Sequence, residues 1–94
     1  MWIVMMAHSF DADTPCYKFN NEEYDKAKAY LHWLWEEYYN TEIAEGSELD
    51  NTMCYHEDEY AKVTWRDGEK TEFYLTYTSP YDEKFFEGNW KKYL

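Results

Sequence analysis

The chain has little of what small proteins commonly use to punctuate or staple a fold. Three glycines, two prolines and two cysteines occur in 94 residues. The glycines, at 46, 68 and 88, stand alone. No glycine-rich loop can therefore wrap backbone amides around a phosphate, and neither a P-loop nor a dinucleotide-binding fingerprint is present. Cys16 and Cys54 form no CxxC pair and no disulfide framework. That usage fits a reduced, cytoplasmic setting and leaves a single Cys16–Cys54 bridge open. Long apolar runs are missing too. The opening Met1-Trp2-Ile3-Val4-Met5-Met6 has no basic flank and is too short for a signal peptide or a membrane span, so it reads as a buried strand.

Basic residues are the scarcest class that matters for partners. Nine Lys and Arg face twenty Asp and Glu, for a net charge of −11. This argues against direct binding to nucleic acid or to an anionic membrane, since both reward cations. It favours a basic partner, or solubility alone. What the chain does have is aromatic rings: 11 Tyr, 5 Trp and 5 Phe. A chain this short buries only about 60–65% of its unfolded surface, which is too little to enclose them all. Tyr and Trp tolerate half-wet positions because each carries a polar tip, and exposed ones are favoured interface anchors.

The length fits one domain covering 1–94. Residues 2–10 predict a first strand and Asp11 to Cys16 a loop. Asn20 is placed as a helix N-cap, with Glu23 in capping-box position and Phe19 and Tyr24 as a hydrophobic staple. Tyr24, Ala27, Leu31, Leu34, Trp35 and Tyr38 recur at helical spacing, which predicts a helix to about residue 40, or as far as a stop at Gly46. Strands are expected over 51–57, 60–66 and 70–78, with a type I′ turn at Asp67-Gly68. Whether the first two are separate depends on a bend at Glu57-Asp58-Glu59. Ser79-Pro80 predicts a short C-terminal helix over 80–87, ending at Gly88, before a tail with Trp90, Tyr93 and Leu94. The expected fold is therefore α+β, in the order β-α-β-β-β-α, with an antiparallel sheet packed on one long helix and a short C-terminal helix. The order resembles the double-stranded-RNA-binding fold in topology only. Lys84, Lys91 and Lys92 sit among Asp82, Glu83 and Glu87, so the basic last helix of that family is not reproduced and its function is not carried over.

The negative charge is unevenly spread. No Lys or Arg occurs from residue 29 to residue 61, while that window holds Glu36, Glu37, Glu42, Glu45, Glu48, Asp50, Glu57, Asp58 and Glu59. The remaining chain carries eleven acids and nine bases. Four of the window acids fall toward the C-terminal end of the long helix, where the dipole is negative and each costs about 0.3–1 kcal/mol at low salt. Local rules are most often broken where function demands it. On the helical wheel Trp33 lies about 150° from the centre of the apolar stripe, beside Tyr30, Glu36 and Glu37. An aromatic ringed by carboxylates has the composition of an interface hot spot with a charged rim. A solvated, solubilising face is the alternative explanation of such a window.

Other chemistries are poorly served. His8, Cys16, His32, Cys54 and His56 are scattered, and zinc needs three or four convergent ligands, so no metal is expected. No cysteine has an activating cation or helix N-terminus in reach of the sequence pattern. A small nuclease built on His56, Glu57 and Arg66 would repel its own substrate. No catalytic residue and no cofactor is expected.

In size, acidity and aromatic content the whole chain resembles the small acidic inhibitors that phages and mobile elements encode against host defence, the anti-CRISPR and anti-restriction proteins. It is similar in the same way to bacterial immunity proteins that neutralise nuclease toxins. The resemblance implies a non-enzymatic inhibitor whose acidic surface mimics nucleic acid and blocks a basic nuclease or CRISPR effector. Its expected contact residues are Tyr30, Trp33, Tyr39 and the nine window acids, with Tyr38 a further candidate anchor. The inhibitor is expected as a monomer or homodimer; the alternative is a homodimeric structural or accessory domain whose surplus aromatics form a self-association surface.

Overall fold

In a computed structural model the chain forms an α+β fold, described here for residues 1–78 and Leu94. Two strands come first, β1 (Trp2–His8) and β2 (Thr14–Phe19), followed by one long helix, α1 (Tyr24–Ala44). A single 3-10 turn (Asn51–Met53) then leads into β3 (Tyr55–His56), β4 (Tyr60–Thr64) and β5 (Lys70–Tyr77). The strands make one antiparallel sheet in the order β2-β1-β5-β4-β3. The expected helix at 80–87 and the tail to residue 93 lie outside the described residues.

The helix packs on one sheet face because alternation brings the apolar residues there. Val4 pairs with Leu75 and Met6 with Phe73, while Phe73 also lies opposite Ala61. Val4, Leu31, Leu49, Ala61, Val63 and Phe73 form the buried core, with Ala27 buried on the same side of the helix. Half-buried rings collar this small core, among them Phe19, Tyr30, Trp35, Tyr38, Tyr39 and Trp65. Several polar ring tips bond across elements. Trp35 Nε1 donates to the Lys62 carbonyl at 3.0 Å, and the Tyr39 hydroxyl donates to Asn51 Oδ1 at 2.7 Å. Trp2 Nε1 donates to the Asn21 carbonyl at 3.1 Å. The one fully buried polar side chain described, Thr71, shares hydrogen bonds with His8 Nδ1 at 2.7 Å and the Tyr38 hydroxyl at 3.3 Å.

Several local expectations need correction. The expected loop ends early: residues 14–16 continue with 17–19 as the edge strand β2, and the strand order gains an N-terminal hairpin that separates it from the β-α-β-β-β-α order. An edge position explains why the pattern hid it. Pro15 is tolerated there, and a bulge skips Cys16 between the Val4–Tyr17 and Met5–Pro15 pairs. The helix starts after Glu23 rather than after Asn20. Half of the capping box survives: the Glu23 carboxylate accepts from the Asn20 backbone N–H at 3.0 Å. Much of the expected 51–57 strand is the 3-10 turn, because the Asp50 side chain accepts from the Thr52 N–H and hydroxyl at 3.2 and 2.6 Å and turns the backbone. The bend at 57–59 exists, closed by Glu57 N–H donating to the Tyr60 carbonyl at 2.7 Å.

The two turn glycines behave differently. Gly46 has φ of 77°, its N–H donates to the Ile43 carbonyl, and Ser47 N–H donates to the Glu42 carbonyl. That is a Schellman stop, as the sequence predicts. Gly68 has φ of 93°, but no other residue near it has positive φ, which excludes type I′. The Trp65 carbonyl accepts from Gly68 N–H, so the turn is a three-residue loop closed by Gly68.

Candidate protein-binding surface

The acidic window does not fold into one continuous patch. The β3–β4 turn holds Glu57, Asp58 and Glu59 beside the N-terminal end of α1, where the Tyr24 hydroxyl donates to the Glu59 carboxylate. Glu42, Glu45, Glu48 and Asp50 gather around the other end of the helix. Along the helix, at 1.5 Å per residue, Tyr24 and Glu45 are about 30 Å apart, but Asp50 and Glu57 lie closer, bonded to the Thr64 and Tyr60 carbonyls at the two ends of β4. Glu36 and Glu37 lie between the two groups on the exposed side of the helix.

At the first end, Tyr24, Glu57, Asp58, Glu59, Tyr60 and Leu75 line an open cleft of about 640 Å³. The hydrogen bond to Glu59, aided by partial desolvation and the charges of Glu59, Asp58 and Asp25, pushes the Tyr24 hydroxyl up to about 12. At the far end the Ser47 hydroxyl donates to the Glu42 carboxylate at 2.5 Å, and Arg66 meets Glu48 only through its backbone N–H, at 2.9 Å from the Glu48 carbonyl. The four ion pairs among the described residues use Lys26, Lys28, His32 and Lys70. Of the nine window acids only Glu36 has such a partner, His32 at 3.7 Å. The other eight lack a cationic side chain within 4 Å among the described residues.

The aromatic candidates separate clearly. Trp33 is 54% exposed, as the wheel predicts, and rests against Tyr30 with ring centroids 5.6 Å apart. Tyr30 is half-buried between Trp33 and the β2 rings Tyr17 and Phe19, at 5.2 and 5.7 Å. Tyr38 belongs to the core collar, edge-on to Phe73 at 5.3 Å. Tyr39 stacks on Trp35 at 5.2 Å and 6° while bonding Asn51, so most of its contact capacity is spent inside the fold. Tyr17, also 54% exposed, is a surface ring that sequence reasoning missed because no strand was assigned over 14–19. Alternation of Tyr17 and Phe19 with Lys18 was the available signal.

The histidine and cysteine candidates do not converge. Cys16 lies on β2 and Cys54 beside β3, the opposite edges of a five-stranded sheet, and both are free. Strand spacing of about 4.8 Å puts them far beyond disulfide reach. Among the described residues no group of three or more His, Cys, Asp or Glu is placed to hold a metal ion. His56 and Arg66 lie toward opposite ends of β4, His56 pairing with Ala61 and Arg66 sitting in the β4–β5 turn, so they do not share a site. His32 and His56 do meet, with ring centroids 4.0 Å apart. The His56 Nε2 is buried without a hydrogen-bond partner among the described residues, and burial followed by the neighbouring His32 lowers its pKa. No described helix is long and apolar enough to cross a membrane. Compared with known protein families, curated proteins and solved structures, the chain matches none.

Proposed function

We propose that the protein is a non-enzymatic inhibitor that covers the basic surface of a nucleic-acid-handling protein, a nuclease or CRISPR effector, in place of nucleic acid. The observation that carries this reading is the set of eight window acids with no cationic partner among the described residues. Paired carboxylates would be explained by the fold; unpaired ones leave their field for a partner. Their arrangement, two clusters at the ends of α1 with Glu36 and Glu37 between, presents negative charge at intervals along one elongated element, as a phosphate track does. The setting we favour is anti-defence in a phage or mobile element, of the anti-CRISPR or anti-restriction type. Immunity against a nuclease toxin would use the same surface.

The reading is tested by binding to a basic nuclease-type partner across a salt series. Affinity falls steeply with salt if the acids form the contact. Glu57→Lys with Asp58→Lys is the informative variant. Both side chains are exposed turn residues with no hydrogen bond of their own among the described residues, so the fold survives. Glu59 is left intact because it holds Tyr24. Unchanged affinity in that variant and in Glu36→Lys with Glu37→Lys would remove the acidic surface from the contact.

A further inference from the structure

We propose that the ridge of Tyr17, Tyr30 and Trp33, with Glu37 at its end, seats an arginine side chain of the basic partner. This rests on the binding function proposed above and names the anchor within it. Tyr30 is the half-buried floor of the ridge, and Tyr17 and Trp33 flank it with centroids 5.2 and 5.6 Å away. Each flanking ring is 54% exposed. Two exposed rings about a shared floor offer π faces to one flat cation, and a guanidinium stacks on such faces better than an ammonium because it is planar and weakly hydrated.

The local charge selects the same ligand. Glu37 lies one helical turn beyond Trp33, is exposed, and has no ion-pair partner among the described residues. It can take the guanidinium N–H groups edge-on while the ring holds the plane. Lys18 and Lys26, on the two elements that carry the ridge, do not compete. Lys26 is paired with Glu23 at 3.2 Å, and Lys18 alternates with Tyr17 and Phe19 and so lies on the opposite face of β2. A second copy of the chain would bring its own −11 charge to this ridge, and nucleic acid or an anionic membrane would bring phosphates. Both meet the repulsion of the exposed Glu36 and Glu37 on the same helix. Strand addition to the β2 edge is disfavoured by Pro15 and by the bulge at Cys16, so the ridge acts through its side chains.

The test uses the full chain and three short peptides, an Arg-Gly repeat and its lysine and citrulline counterparts, with the Trp33 indole N–H followed by NMR. The indole resonance shifts on adding the arginine peptide, less so with the lysine peptide, and not with citrulline. Affinity for the arginine peptide falls about tenfold in Trp33→Ala and Trp33→Leu, and a few-fold in Glu37→Gln. Trp33→Leu keeps apolar bulk without the π face, so a fold defect is separated from loss of the cation contact. Strong binding that ignores Trp33 would overturn the anchor while leaving the basic-partner function in place. Failure of the parent chain to bind any basic probe would overturn both. A dimer that Trp33→Ala dissociates would make the occupant a second copy and overturn the arginine seat.

Discussion

Protonation of His56 is opposed by the fold. Its Nε2 is buried without a partner among the described residues, its ring centroid lies 4.0 Å from that of His32, and its pKa is held below the ordinary 6.5 by burial first and His32 second. The unfolded chain therefore binds the proton more readily than the folded one. Stability is full above 6.5, falls as pH drops below it, and levels off once pH passes the lowered folded-state pKa. Chemical denaturation midpoints between pH 8 and pH 5 should show this loss, and His56→Gln should flatten it. Glu72, lowered chiefly by the Tyr60 hydroxyl it accepts from at 2.5 Å, adds a separate loss below its ordinary 4.5. A second residue-scale test is Gly46→Ala. At φ of 77° a Cβ meets no atom within 4 Å, so the cost is backbone strain alone, about 1 kcal/mol. A larger loss would mean that the Schellman stop carries more of the fold than its two hydrogen bonds.

The elements differ in how plainly the sequence announces them, and the reason is burial. The α1 stripe was legible because Ala27, Leu31, Leu34 and Tyr38 all face the sheet, and because Gly46 is a strong stop. Strands β4 and β5 were legible for the same reason, with Ala61, Val63, Thr71 and Phe73 buried at every second position. Strand β2 was not, because an edge strand buries little: only Cys16 and Phe19 are partly covered. Long-range hydrogen bonding, not pattern, makes it a strand. The 3-10 turn was missed because a side-chain cap at Asp50 competes with strand pairing. Helix α1 also carries the sharpest element-scale prediction. It has no basic residue in its last turn, and Glu45 stands at the negative end of its dipole. Glu45→Lys should raise stability by about 0.5–1 kcal/mol at low salt and less at high salt. The same variant should weaken partner binding, whereas a purely solubilising role would leave binding untouched.

Across the whole molecule, the exposure of single residues was more legible in the sequence than their arrangement. The exposure of Trp33 followed from helical phase alone. The division of the acidic window between the two ends of α1 did not, because it depends on the sheet order bringing the β3–β4 turn to the Tyr24 end of the helix. Tyr38 and Tyr39 were candidates for the same reason as Trp33, aromatic character next to acids, yet cross-element contacts with Phe73 and Asn51 claim them for the fold. The account thus comes down to eight carboxylates without cationic partners among the described residues and one exposed indole. Its most direct test is the affinity of the folded chain for a basic nuclease-type partner, measured for the parent and for Glu57→Lys with Asp58→Lys from low to high salt. The account predicts a linear fall of log affinity with log salt for the parent, a variant at least tenfold weaker at low salt with a shallower slope, and competition by nucleic acid. Equal affinity and equal salt slope in parent and variant would contradict it.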